Sequence, residues 1–471
     1  MITFIVSLVL LFLGYFFYSK FLDKTFSIDV NKETPAYRLR DNVDYLPMNQ
    51  KKTFFIQFLN IAGLGPIFGA VTGAMFGPVA FLWIVFGSIF GGAVHDYLSG
   101  MISLRNDGLS LPNIIGKYLG NNIKLVVSIL TIILMVLVGA VFISGPAKLL
   151  TEITNNYISF NFWVFIIFIY YILATLLPID KIIGKIYPFF GAALVFMALS
   201  ILICLFINNA PIPEISLENM HPNSKDYPIF PMMFISIACG AVSGFHATQS
   251  PLVARCLRNE REGRKVFYGA MISEAVVALI WAAISMSFFG SLENFQSFYA
   301  ESSNNPAPIV SKISNDLLGV VGGALALIGV VAAPITSGDT AFRSCRLIIS
   351  DLFNIEQKKL IKRILVSLPL FLVAFLLLQF SFDVIWRYFA WLNQLLATFT
   401  LWAITVYLVQ HKKNYIISLI PAIFMTMVCS TYILIAKNEG FGLSHTLSYI
   451  ISGVITIVII IMFSIKIKRD K

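Results

Sequence analysis

Apolar residues run along this chain in windows of about 20, the length that carries one helix across the hydrocarbon core of a bilayer. The windows fall at 2–18, 54–76, 79–101, 123–145, 160–178, 186–207, 229–253, 266–290, 317–340, 361–379, 385–409, 414–436 and 445–465, which predicts thirteen spans. One of them cannot be a single regular helix. Residues 54–76 carry Gly63, Gly65, Pro66, Gly69 and Gly73, with Gly77 just beyond. Proline removes a backbone donor and glycine disfavours the helix, so the pattern predicts an unwound stretch near Gly63 to Pro66. Lipid cannot satisfy the backbone groups freed there. Such backbone is tolerated only inside protein or along a water-filled cavity, and broken helices of this kind hold substrate and ions in many secondary transporters.

Composition agrees with the pattern: 58% of residues are hydrophobic, only 12% are charged, and the mean hydropathy is +0.83. This is a polytopic membrane protein. Residues 2–18 lack a basic leading region and a small-residue cleavage site, so they are expected to be a retained first span. The basic residues test the span count independently, because Lys and Arg gather in cytoplasmic loops. With the N-terminus outside and the C-terminus inside, 29 of the 34 Lys and Arg fall on the cytoplasmic side; Lys148, Lys225, Lys312, Arg387 and Lys437 fall outside. The net charge of +10 therefore reflects orientation in the bilayer and needs no nucleic-acid partner. Cys204, Cys239, Cys256, Cys345 and Cys429 show no paired spacing, which argues against a disulfide framework or a zinc site.

Five spans after the first broken window comes a second, 229–253, with Gly240, Gly244, Pro251 and several small polar residues. Five is odd, so the two units would have opposite orientation. A broken first helix in each of two inverted halves is the layout of the LeuT-type (APC superfamily) fold. The expected organisation is an extra N-terminal span and linker at 1–53, repeats at 54–207 and 229–409, and two trailing spans with a basic tail at 414–471.

Several residues in these segments could carry chemistry. Gly65, Gly69, Gly73 and Gly77, four apart, form either a packing ridge or part of an unwound site. Glu274 lies nine residues past Lys265, roughly 14 Å into a core about 30 Å thick. A carboxylate at that depth is protonated, paired or functional. Asp96 is a candidate proton site, or a structural partner of Arg105 or Lys117; its neighbour His95 points about 100° away on a helix and is not expected to share a ligand with it. His246 is a candidate substrate contact or proton carrier, with a satisfied core histidine as the alternative. Thr336, Ser337, Asp339 and Thr340 end a predicted span and offer oxygens to a hard cation such as Na⁺, although Asp339 also stands four residues before Arg343, the spacing of an ordinary helical ion pair. Asn393 and Gln394 either glue helices or line a substrate cavity.

At these residues the chain resembles the carbon starvation protein A (CstA) family of bacterial membrane transporters. The resemblance runs from about residue 54 to 400 and rests on IAGLGPIFG at 61, GAVHDY at 92, RNDGLSL at 105, SGFHA at 243, YGAMISE at 268, DTAFRSCR at 339 and NQLLA at 393, in that order. It implies secondary transport of small nutrients under carbon limitation, peptides in the name-giving members and pyruvate in a close subgroup, driven by a cation gradient. The family's motif residues map onto Gly63, Gly65, Pro66, Asp96, His246, Glu274, Asp339, Asn393 and Gln394. Gln57, Ala70 and His95 depart from its usual pattern.

The combined expectation is an alternating-access symporter of the bacterial cytoplasmic membrane without a cofactor. Its substrate, a peptide or other small carboxylate, lies between the broken segments, at Gly63, Gly65, Pro66, Gly69, Ser243, Gly244 and His246 with Asn393 and Gln394. Coupling falls to Asp96 or Glu274 for protons, or to Thr336, Ser337 and Asp339 for Na⁺. Neither H-E-x-x-H nor G-x-S-x-G occurs, which disfavours a membrane-embedded enzyme, and no large soluble signalling domain is present to favour a sensor.

Overall fold

The structure is a computed structural model. It describes residues 1–470 except 42, 43, 155, 156, 177, 178, 209, 210 and 358, and omits the side chains of 175–188, 320–322, 324–327 and 470. The end of the predicted window 160–178 and the basic residues Lys181, Lys185 and Lys358 thus lie outside what is described.

The described residues are all-helical. The chain begins with α1 (Ile2–Phe26) and a linker, then the two half-helices α2 (Gln50–Ile61) and α3 (Gly65–Phe76). There follow α4 (Ala80–Arg105), α5 (Leu111–Leu119), α6 (Asn121–Ile153), α7 (Phe160–Leu176) and α8 (Ile179–Ile207). A second pair of short helices is formed by α9 (229–236) and α10 (Gly244–Ala254). The remainder is α11 (Glu260–Phe288), α12 (Leu292–Glu301), α13 (Pro306–Leu352), α14 (Leu360–Leu377), α15 (Phe382–Gln410), α16 (Ile416–Ile435) and α17 (His445–Asp470). Local chemistry explains several of these boundaries. Asn49, Ser291 and Asn305 each accept a backbone N–H in the first turn of α2, α12 and α13, the usual role of an N-cap. Gly120, at φ +108°, separates α5 from α6 in a conformation other residues rarely adopt.

Nine helices among the described residues are long and apolar enough to cross a membrane, ten if the bent pair α2–α3 counts as one span. This is a multi-pass membrane protein. Two of the predicted windows take other forms: 229–253 is the second interrupted pair, and 317–340 lies within the 47-residue α13, which turns at Gly319; window 160–178 is described only as far as Leu176. The oxygens at 336–340, placed by the hydropathy at the end of a span, therefore sit inside a helix that runs on to Leu352.

Burial sorts the helices into two shells. In α4, α11 and α15 the most apolar window is 83% buried, whereas the figure is 28% for α1 and α14 and 17% for α17. The outer helices face lipid with apolar side chains, and the inner ones can carry the polar residues that lipid would reject.

The first helix breaks where proline and glycine predict. α2 and α3 meet at 52°, with Ala62 off the helical conformation at φ −79°, ψ 53°. The second break runs from Ile237 (φ −99°, ψ 62°) to Ser243 (φ −140°, ψ 119°). The two breaks touch. A methyl group at Gly65 would lie 2.0 Å from Cβ of Cys239, and one at Gly73 would lie 2.2 Å from the side chain of Ile237. One at Gly69 would lie 3.1 Å from the carbonyl oxygen of Ser236. The glycine row thus packs α3 against the second broken segment, the close-approach use of small residues in membranes.

Gly65→Ala is expected to lower the melting temperature of the purified protein by the overpacking cost of about 1–3 kcal/mol. Adding Cys239→Gly, which removes the obstructing atoms, should restore much of that loss; a Gly65→Ala protein as stable as the parent would contradict the contact.

Candidate functional site

Three inner helices bring ionisable side chains to one point. His95 and Asp96 lie on α4, His246 in the first turn of α10, and Glu274 midway along α11. All four are fully buried. Asp96 reaches both histidines, with Oδ1 at 2.8 Å from Nδ1 of His95 and Oδ2 at 2.8 Å from Nδ1 of His246. The other ring nitrogen of His246, Nε2, stands 3.4 Å from Oε2 of Glu274. One imidazole therefore bridges two carboxylates.

The geometry restricts the protonation states. With a proton on each Nδ1, Asp96 is an ionised acceptor of two hydrogen bonds, all that its position asks of it. A second bare carboxylate in the same low-dielectric site would be costly unless the imidazole beside it were charged. One proton accordingly has two seats, Nε2 of His246 and Oε2 of Glu274, and moving it turns a neutral pair into an ion pair. Neither Glu274 oxygen nor Nε2 of His246 has a formed hydrogen bond among the described residues, and the same holds for Nε2 of His95 and Oε1 of Gln249. Buried polar atoms without partners are rare in stable proteins and cluster where a structure does work.

One expectation is corrected here. The cations proposed as partners of Asp96 are occupied elsewhere: Arg105 bonds Glu260 at 2.9 Å and the Ser27 carbonyl at 2.8 Å, and Lys117 bonds Asn106 at 2.5 Å. His95, not expected to share a ligand with Asp96, bonds to it directly, the two side chains folding toward each other across the 100° between them.

The second break is held open by side chains that take up its free backbone groups. Trp83 Nε1 donates to the Ile237 carbonyl at 3.2 Å, Ser88 Oγ donates to Gly240 at 3.0 Å, and Gln394 Nε2 donates to Phe234. Asn393 Oδ1 accepts the Phe245 amide at 2.7 Å, and its Nδ2 lies 3.0 Å from Ser243 Oγ and 3.2 Å from Cys239 Sγ. Asn393 thus acts as a cap for α10 supplied by α15. Gly244 permits this, since a methyl group there would fall 2.4 Å from the Asn393 carbonyl. Of the two roles foreseen for the buried amides, these contacts belong to the joining of helices, and the Phe245 amide is already occupied.

At the first break, Ser337 Oγ of α13 donates to the Leu59 carbonyl at 2.7 Å, so this helix end too is met from across the interface. Thr336 and Thr340 hydroxyls bond carbonyls of their own helix. Asp339 lies 4.0 Å from Arg343, four residues on, while its Oδ1 forms no hydrogen bond among the described residues. Ser337 thus faces α2, whereas Asp339, two residues on and about 200° round α13, lies toward Arg343 of its own helix. Gly63 packs edge-on to the Phe142 ring, and a methyl group there would meet it at 2.6 Å. No cluster of three His, Cys, Asp or Glu suited to a metal occurs among the described residues.

A cavity of about 520 Å³ opens between the far end of α3 and the start of the second break. Thr72 and Met75 of α3, Ser236 of α9, Tyr299 of α12 and Trp386 of α15 line it. Trp386 is 94% buried, and its indole N–H has no partner among the described residues. The volume lies in the range of small-molecule sites, about 300–1,000 Å³. Sequence reasoning did not single out Trp83, Ser88, Cys239 or Trp386. The glycine pair Gly91–Gly92 was the available signal, since Gly92 lies against the Ala241 carbonyl and lets α4 close on the second break.

Comparison with known proteins adds the following. The model of the family described as "Carbon starvation protein CstA" matches residues 1–162 and 147–315. An uncharacterized membrane protein of Haemophilus influenzae is 42% identical over 63% of this chain and 93% of its own length. The peptide transporter CstA of Bacillus subtilis is 27% identical over 97% of this chain and 94% of its own. The pyruvate/proton symporter BtsT of Escherichia coli is 27% identical over 59% of this chain, and the match spans 47% of that longer protein. Among solved structures, the Eremococcus coleocola manganese transporter aligns with TM-score 0.57 over 92% of this chain and 99% of its own, at 14% identity, a likeness of fold.

Replacing Asn393 by Leu should strand the Phe245 amide and the Ser243 hydroxyl, a loss of about 1–3 kcal/mol for each unmet buried group. The expected result is a clearly lower melting temperature; an unchanged one would remove its role as a cap.

Proposed function

The chain belongs to the carbon starvation protein CstA family, and from that membership we propose that it is a proton-coupled secondary transporter importing small carboxylate-bearing nutrients, peptides first, across the bacterial cytoplasmic membrane. The observation that carries the coupling is the Asp96–His246–Glu274 line, with one proton and two seats on three different helices. His246 rides on the half-helix α10 and Glu274 on α11. Relative movement of these two helices changes the 3.4 Å gap and so the balance between the neutral pair and the ion pair. A broken helix that rocks during alternating access would thereby take up a proton on one side and release it on the other.

The architecture that fits this reading is the LeuT-type arrangement, with α1 preceding two inverted five-span units at 54–207 and 229–409, two trailing helices, and thirteen spans in all. The concentration of Lys and Arg supports an external N-terminus and a cytoplasmic C-terminus. The cavity at the second break would be the entry route, and the substrate would lie between Gly63, Gly65, Pro66 and Gly69 of the first broken segment and Ser243 and Gly244 of the second once Gly65 and Gly69 part from Cys239 and Ser236. The Trp386 indole is a donor that a substrate carboxylate could use on entry.

Pyruvate is the second substrate reading, favoured by the likeness to the Escherichia coli pyruvate/proton symporter. Sodium coupling is the second reading for the ion. It would use the oxygens of Thr336, Ser337 and Asp339, and the observation in its favour is that Asp339 Oδ1, 4.0 Å from Arg343, forms no hydrogen bond among the described residues.

Purified protein in liposomes decides among these. Labelled pyruvate and a panel of di- and tripeptides are offered under an inward pH gradient, an inward Na⁺ gradient, or counterflow alone. Acidifying the outside should raise uptake. Glu274→Gln should reduce pH-driven uptake to background while counterflow continues; normal pH-driven uptake by that variant would end the coupling assignment. Uptake that survives collapse of both gradients would remove symport altogether.

A further inference from the structure

Away from the broken helices, a cleft of about 660 Å³ lies between the inner helix α15 and its neighbours α16 and α17. It exists because α16 packs closely on both neighbours while α15 and α17 approach each other far less. Its walls are apolar, with Leu395 and Phe399 of α15, Ile433 of α16, and Ile459 and Met462 of α17. The few hydroxyls along it are already committed: Thr398 bonds the Gln394 carbonyl at 2.9 Å, Ser430 bonds Thr426 at 2.7 Å, and Thr426 accepts the Trp402 indole at 3.0 Å. A polar solute gains nothing along such a wall.

One end of the cleft is different. There Leu119 and Ile123 meet Lys466 and Arg469, three residues apart and so on one face of α17. No Asp or Glu lines the cleft among the described residues. Along α15 the lining runs from Trp391 to Val406, roughly 22 Å at 1.5 Å per residue, against about 15 Å for one leaflet of the hydrocarbon core. The hollow is thus long enough for a whole acyl chain, and its basic end lies where that chain's headgroup would be.

We propose that this cleft binds an anionic phospholipid, with one acyl chain between α15 and α17 and the phosphate held by Lys466 and Arg469. Charge complementarity selects this occupant. Basic residues beside an apolar inter-helix cleft are the usual receptor for anionic headgroups. A second copy of this chain packed on the same face would bring another Lys466 and Arg469 against these, a like-charge contact. A zwitterionic lipid offers the same chain but no net attraction. The site is separate from Asp96, His246 and Glu274, so it stands whether or not the coupling assignment does.

The test uses the full chain purified in detergent, titrated with phosphatidylglycerol or with phosphatidylcholine of the same acyl chains, and read by melting temperature and by lipids retained in native mass spectrometry. Phosphatidylglycerol is expected to raise the melting temperature by about 3 °C or more, and phosphatidylcholine to leave it within the scatter. Lys466→Gln with Arg469→Gln should lose most of that shift, and Lys466→Arg with Arg469→Lys should keep it. Ile459→Trp, which fills the cleft and leaves both charges, should lose the retained lipid even if the charge variants fail to fold. Equal shifts from both lipids, a full shift in the doubly neutralised protein, retained lipid in Ile459→Trp, or a dimer mass in place of a lipid adduct would each overturn the proposal.

Discussion

Inside a bilayer no solvent stands ready to meet a backbone carbonyl or a carboxylate, so every polar group at that depth must find its partner within the protein. The arrangement of the inner helices follows from this demand. Interrupting a helix near Ile61 and again near Ile237 frees backbone groups that neighbouring helices then have to meet. Trp83 and Ser88 come from α4, Asn393 and Gln394 from α15, and Ser337 from α13. These bonds tie the breaks to three other helices. The weakest parts of the backbone are consequently the points where the inner helices are joined.

The same demand explains why Asp96, His246 and Glu274 occur together. Any one of them alone would be an unpaired ionisable group in a medium that penalises charge. Aligned through one imidazole, they share the burden, yet incompletely: Asp96 is met by two rings, and Glu274 by a ring at 3.4 Å. That asymmetry sets the cluster apart from an ion pair such as Arg105 with Glu260, where both charges are closely bonded.

The outer shell obeys a different balance. α1, α14 and α17 present apolar side chains outward, so their surfaces need no partner. Where they leave hollows, lipid is the natural filler, and specificity arises only where charge accompanies the hollow. The cleft ending at Lys466 and Arg469 meets that condition. Ser337 and Asp339 belong to the inner shell, where the Ser337 hydroxyl bonds carbonyls of α2 and α13.

Much of this was legible along the chain. Hydropathy and the distribution of Lys and Arg are local, additive properties, and they sufficed for the membrane class. Gly63 to Pro66 and the glycines and proline of 229–253 located both helix breaks, because the conformational preferences of proline and glycine act wherever the residue sits. The family motifs marked Asp96, His246, Glu274 and Asn393 as residues of interest. What they touch could not be read from the chain. Asp96 and His246 are separated by 150 positions, and so are Asn393 and Ser243. Their meeting depends on how α4, α10 and α15 pack, which no window of sequence contains. The pairing of Asp96 with His95 rather than with Arg105, the occupation of the Phe245 amide, and the placing of Ser337 against Leu59 were decided by tertiary structure alone, because hydrogen-bond partners are chosen by distance in space while propensity and hydropathy act by position along the chain.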